Sequence, residues 1–186
     1  MKVQTYNTLF GLLTLVADAA VLTFTVLALF ARWSSGAARA RDAVWERVEE
    51  VGLPLAAVVG LVATLGSLYY SEIAHFVPCR LCWYQRIAMY PMPVLLGIAA
   101  LRRDRGFRAY AVPLALVGAV ISTYHYQLEW FPSQEGMSCT LQGPPCNVVL
   151  FRVFGYASLS AMALSGFLLI AWLTWIAGRS SKGASM

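Results

Sequence analysis

A chain of 186 residues that is 59% hydrophobic and only 12% charged falls well below the roughly one-quarter charged residues of soluble domains. That composition excludes an ordinary water-soluble globule and makes lipid the solvent. The net charge of +5 does not make a nucleic-acid-binding face, because the basic residues are scattered through the loops between apolar runs.

The first apolar run covers about residues 7–31, enough to cross a hydrocarbon core of ~30 Å at ~1.5 Å per residue. It is longer than the apolar part of a secretory signal, and Lys2 gives only a thin basic flank, so it reads as a retained helix. Asp18 interrupts it. A charge at the bilayer centre costs about 2.5–3.5 kcal/mol, so Asp18 is expected to face the bundle, protonated or hydrogen-bonded. Residues 32–52 mix Arg32, Arg39, Arg41 and Arg47 with Asp42, Glu46, Glu49 and Glu50. Val44, Val48 and Val51 recur there at helical spacing, which fits either a helix lying on the membrane surface or a solvated connecting helix.

The second run is 53–74, with Pro54 expected in the first turn of its helix. A tight loop, His75 to Cys82, leads into the third run, 83–101, where Pro91 and Pro93 predict a kink. The fourth run is about 110–128 and the fifth about 154–177. Ten of the 14 lysines and arginines then fall on one face: Arg32, Arg39, Arg41, Arg47, Arg102, Arg103, Arg105, Arg108, Arg179 and Lys182. By the positive-inside rule that face is cytoplasmic. All four cysteines land on the opposite, oxidising side, where disulfides persist.

Cys79 and Cys82 have the spacing of a redox-active dithiol or of half a metal knuckle. Cys82 stands at a helix start, whose partial positive charge favours a thiolate, and Arg86 lies one turn deeper on the same face. These features make Cys82 the expected acidic, nucleophilic sulfur and Cys79 the more accessible one. Arg86 either snorkels to headgroups or donates hydrogen bonds to a polar ligand at the membrane surface, for which an electron-accepting carbonyl compound is a natural candidate. Cys139 and Cys146 enclose Thr-Leu-Gln-Gly-Pro-Pro, a turn-forming sequence that suits either an inert staple or a labile, exchangeable disulfide. A four-cysteine zinc site is disfavoured by the loose second spacing. His125, between Tyr124 and Tyr126 near the outer end of the fourth run, matches the depth of Arg86. A histidine there is ordinarily a hydrogen-bonded interface residue, yet it and Arg86 can face one site.

The stretch Pro78-Cys79-X-Leu81-Cys82-Trp83-Tyr84-Gln85-Arg86, continuing through Ile87 to Pro91, resembles the DsbB family of membrane disulfide-generating oxidoreductases, including its BdbC branch. The preceding helix and the second two-cysteine loop support the likeness, which covers about residues 53–178. It implies an all-α integral membrane protein: a four-helix transmembrane bundle (53–178) with one additional N-terminal transmembrane helix and cytoplasmic connector (1–52) and a cytoplasmic tail (179–186). It implies ubiquinone or menaquinone as cofactor. Cys79 and Cys82 match the quinone-proximal pair, Arg86 the quinone-contacting arginine, and His125 a histidine near the quinone. Cys139 and Cys146 match the pair that oxidises a soluble DsbA-like thioredoxin-fold partner.

The implied activity is a quinone-dependent thiol oxidase. It relays electrons from Cys139/Cys146 to Cys79/Cys82 and on to the membrane quinone pool, with both cysteine loops on the periplasmic face of a bacterial inner membrane. The expected partners are that donor, quinone and membrane lipid, with no nucleic acid and no metal. This chain departs from the family pattern in its first fifty-odd residues and in the short second cysteine loop. The alternatives are a vitamin K epoxide reductase-like oxidoreductase, in which the order of the cysteine pairs is reversed, and a non-enzymatic membrane protein with structural disulfides or a zinc site.

Overall fold

The computed structural model describes residues 3–136, 139 and 143–179. Its helices are α1 (Val3–Phe30), α2 (Ser35–Leu68), α3 (Arg80–Met89), α4 (Pro91–Arg102), α5 (Arg108–Trp130) and α6 (Leu159–Ala177), with no strand among the described residues. Helices α1, α2, α5 and α6 are each long and apolar enough to cross a membrane. Helices α3 and α4 are too short singly and run in series through Tyr90 as a further pass. The break falls where Pro91 and Pro93 each remove a backbone donor, as the sequence predicts.

From Ser35 onward the connector of 32–52 is a connecting helix, with no break before the second apolar run. It is the first half of α2, continuous with the second apolar run and capped by Ser34, whose hydroxyl accepts from Ala37 N at 3.4 Å. Pro54 therefore lies inside α2 and not in its first turn. The charged connector stays helical because its apolar residues have a partner: Val44, Trp45 and Val48 pack into the core beside the end of α6. The Trp45 and Trp175 rings meet edge-on at 5.5 Å, and Arg179 lies over Trp45 at 4.4 Å.

Helix α6 is central, packing on α1, α2 and α5, and its Phe167, Ile170, Leu173 and Ile176 are essentially inaccessible. Around it, Val16 and Leu22 of α1, Leu101 of α4 and Val120 of α5 stay exposed, the apolar exterior required by a lipid surround. Between helices in lipid, close approach supplies the attraction that water would otherwise enforce. The glycines sit at such places: a Cβ on Gly118 would come within 2.3 Å of the Phe167 ring, and one on Gly52 within 2.9 Å of the Leu173 carbonyl oxygen.

Asp18 faces the bundle and is hydrogen-bonded, as expected. It accepts from Tyr156 Oη at 2.6 Å and from Ser165 Oγ at 2.5 Å. Arg108 and Arg105 lie against Gly178 at one end of the bundle. The start of α3 and the Cys139–Cys146 loop meet at the other.

Candidate active site

The site is organised by the first turn of α3. Pro78 precedes Cys79, whose extended backbone (φ −75°, ψ 174°) makes it the N-cap of that helix. Its sulfur accepts a hydrogen bond from Cys82 N at 3.3 Å, the position usually filled by a serine or aspartate oxygen. The same geometry brings the two free thiols to 2.9 Å. His125 Nε2 of α5 stands 3.6 Å from Cys79 Sγ.

These contacts assign the anionic sulfur differently from the sequence reading. The hydrogen bond from Cys82 is the largest influence on Cys79. Burial opposes it, but the hydrogen bond and charge of His125 and the Cys82 backbone N–H add to it, so the Cys79 thiol is lowered to about 4. Cys79 is also the less accessible of the pair, only 5% exposed, because the second cysteine loop packs over it. The sequence argument gave the helix-terminal charge to the residue inside the helix, whereas the residue that caps it receives the N–H. With a depressed pKa the thiolate is the form present at neutral pH, and it is lost only as pH falls through about 4. In the reduced protein the thiolate ultraviolet absorbance should therefore survive acidification to near that value. His125→Ala should move the midpoint upward, and an unmoved midpoint would show that the imidazole does not act on this sulfur.

Cys82 borders two cavities. The smaller, about 70 Å³, is shared with Cys79, His125, Glu129, Pro144 and Pro145. The larger, about 490 Å³, is mainly apolar and carries Ser67, Gln85, Arg86 and Tyr90 around its Cys82 end. Arg86 does not snorkel freely. Its Nε donates to Ser67 Oγ at 3.0 Å, one terminal nitrogen donates to Ser67 O at 3.1 Å, and Tyr90 Oη donates to the same Ser67 hydroxyl at 3.2 Å. The guanidinium also lies 5.3 Å from the Trp83 ring centre. Its remaining N–H groups make no hydrogen bond among the described residues and can serve a ligand beside Cys82. Arg86 and His125 thus flank the cysteine pair from opposite sides, Arg86 on the larger cavity and His125 on the smaller, and do not share one.

Cys139 and Cys146 form a disulfide with Cα atoms 5.8 Å apart. Both are buried in one cluster with Cys79, Leu81 and Leu128, and the Glu135 carboxylate accepts from Cys146 N. Of the turn expected at 140–145, residues 140–142 lie outside the described residues; Gly143 adopts φ 133°, a conformation that suits glycine.

Sequence reasoning missed three supports. Ser67 aims Arg86, and Gln85 Nε2 ties α3 to α5 by donating to Ser122 Oγ at 3.1 Å. Glu129, four residues after His125 and on the same helical face, accepts from Ser158 Oγ at 3.0 Å and from Ser160, and pairs with Arg152 at 3.5 Å. This anchors the segment that follows the second cysteine loop. The available signals were a serine within an apolar helix and an acid one turn beyond the histidine.

Comparison with known proteins agrees with this arrangement. The family model described as "Disulfide bond formation protein DsbB" matches residues 49–178. Disulfide bond formation protein C of Bacillus subtilis is 45% identical over 113 residues, covering 61% of this chain and 82% of its own. A Probable disulfide formation protein C of Bacillus cereus is 40% identical over 131 residues, covering 70% and 94%. A Probable disulfide formation protein of Coxiella burnetii is 37% identical over 130 residues, covering 69% and 88%. No solved structure matches the chain. With its four cysteines gathered at one end of a multi-pass helical bundle, the chain belongs to the DsbB family and is a membrane disulfide-forming oxidoreductase.

Proposed function

We propose that the protein oxidises a soluble, DsbA-like thioredoxin-fold donor and delivers the electrons to membrane ubiquinone or menaquinone. The observation that carries this reading is the double position of Cys82, which borders the loop-side cavity through Cys79 and the large apolar cavity beside Arg86. A donor thiolate attacks the Cys139–Cys146 disulfide, forming a mixed disulfide and releasing one loop thiolate. The donor's second thiol resolves that bond, so the donor leaves oxidised and the loop pair is a dithiol. A loop thiolate next attacks Cys79 in the Cys79–Cys82 disulfide, and Cys82 departs as a thiolate one helical turn from Arg86.

The second loop sulfur then displaces Cys79. This restores Cys139–Cys146 and leaves two electrons on the Cys79/Cys82 pair. Exchange is faster when the departing thiolate is stable, and the Cys82 N–H and His125 supply that stability to Cys79. Arg86, Gln85, Met89 and Tyr90 are the residues that would hold a quinone headgroup. Bound quinone supplies the two-electron acceptor, while these side chains position it and exclude water.

The excess of basic residues at the end opposite the cysteines supports a bacterial inner-membrane placement with the cysteine loops periplasmic. Residues 1–52 act as an added helix and connector, 53–178 as the oxidoreductase bundle and 179–186 as a cytoplasmic tail. The decisive experiment incubates purified protein with a reduced thioredoxin-fold donor and quinone. Donor oxidation matched one-for-one by quinone loss is expected, and its absence would overturn the reading. In the same assay Arg86→Ala should raise KM for quinone by about tenfold or more with a smaller effect on kcat. An unchanged KM would leave Arg86 as a tie between α3 and α2.

A further inference from the structure

The family match begins at residue 49 and leaves α1 outside it, yet α1 is tied to the matched helices at several points along its length. Its Asn7 accepts from Tyr70 Oη at 2.9 Å, its Phe10 covers Gly66 of α2, Gly11 sits against Val153 and Phe154, and Asp18 is held by Tyr156 and Ser165. Those fixed points set the rotation of α1 about its axis. They turn Leu13, Ala17, Ala20 and Phe24 into the large cavity whose outer end holds Cys82 and Arg86.

That cavity is elongated. Along α1 its lining runs from Phe10 to Phe24, and along α6 from Leu159 to Leu173. Each of these stretches is about 21 Å at 1.5 Å per residue, well beyond what a single ring headgroup needs. Its polarity is also graded. Ser67, Cys82, Gln85 and Arg86 gather at one end. Further down, the hydroxyls of Thr14 and Ser165 are spent on Phe10 O and on Asp18. The shape and grading suit a molecule with a hydrogen-bonding ring at Cys82 and a long hydrocarbon chain behind it.

We propose that α1 is the outer wall of a tail channel, so that the cavity takes the isoprenoid chain of a membrane quinone. Ala17 and Ala20 keep the channel wide, and Phe24 closes its far end. The assignment rests on the quinone-linked reading above and gives the added helix a binding role that the matched bundle does not supply.

The test uses a benzoquinone whose decyl chain ends in a photoactivatable diazirine, illuminated with the full-length purified protein. Labelled peptides from α1 between Val16 and Phe24 are expected, and label confined to α2–α5 would overturn the proposal. Competition against this label gives dissociation constants for two further probes, decyl-substituted and tail-less dimethoxy-methyl-benzoquinone. Ala17→Leu and Ala20→Leu, which narrow the channel, should weaken the decyl compound by at least about tenfold and leave the tail-less one unchanged.

If both quinones bind and the α1 variants treat them alike, the wall assignment falls and the quinone reading stands. If neither binds the unaltered protein, the quinone reading falls and the assignment with it. Competition by a phospholipid as strong as that by the decyl compound would make the channel an acyl-chain site and also overturn it. The label map on unaltered protein does not depend on either variant folding.

Discussion

Replacing Cys82 with serine will allow one round of donor oxidation and then stop turnover. The Cys139–Cys146 disulfide does not involve Cys82, so a donor thiolate still finds its target and about one equivalent of oxidised donor appears. The reduced loop then has no disulfide at Cys79 to attack, and no cysteine sulfur borders the large cavity, because Cys79 lines only the smaller one. Steady-state quinone reduction should drop by about 10³-fold or more, as when one member of a catalytic unit is removed. The measurement is a rapid-quench count of oxidised donor per enzyme. Sustained turnover would exclude a relay through Cys82. A missing first equivalent would instead place the donor's point of attack at the Cys79/Cys82 pair.

Gly118→Val is expected to give the largest loss of stability among single substitutions in the bundle. A Cβ at Gly118 would fall 2.3 Å from the Phe167 ring, and Phe167 has no accessible surface into which to retreat. Overpacking of this kind costs about 1–3 kcal/mol and sometimes more. Valine adds two methyl groups beyond that Cβ, which puts it at the upper end. Thermal unfolding in detergent should record the loss. Pairing the change with Phe167→Leu should return part of it, because residues in contact couple by about 0.5–3 kcal/mol. Additive losses would mean that α5 yields elsewhere. The substitution also reaches the chemistry: Gly118, Ser122 and His125 lie on one face of α5, so a displaced α5 draws His125 away from Cys79 and Ser122 away from Gln85.

What could be read from the sequence was what repeats or lies close along the chain. The apolar runs gave the membrane passes, Pro91 and Pro93 gave the break between α3 and α4, and the cysteine–arginine motif gave the family. The inward-facing, hydrogen-bonded Asp18 followed from the cost of leaving a carboxylate in lipid, although its partner Ser165 is 147 positions away. The unbroken length of α2 was hidden because Glu46, Arg47, Glu49 and Glu50 mask the apolar side on which Trp45 and Val48 meet α6.

The charge on Cys79 was hidden for another reason. It depends on which residue caps α3: with the cap at Cys79 the Cys82 N–H goes to the Cys79 sulfur, and only a helix start three residues later would make Cys82 the cap. The tie between Ser67 and Arg86 spans 19 positions and two helices, and that between Glu129 and Ser158 spans 29. No local pattern announces contacts of that kind.

Because a sulfur and not an oxygen caps α3, the proposed relay would change the charge on the atom that terminates the helix in every cycle. As a thiolate, Cys79 binds the Cys82 amide strongly; once tied into a disulfide it offers only a feeble neutral acceptor. The opening turn of that helix is therefore tightened and slackened in step with electron flow, and amide-exchange protection at Cys82 should report which half of the cycle the enzyme occupies.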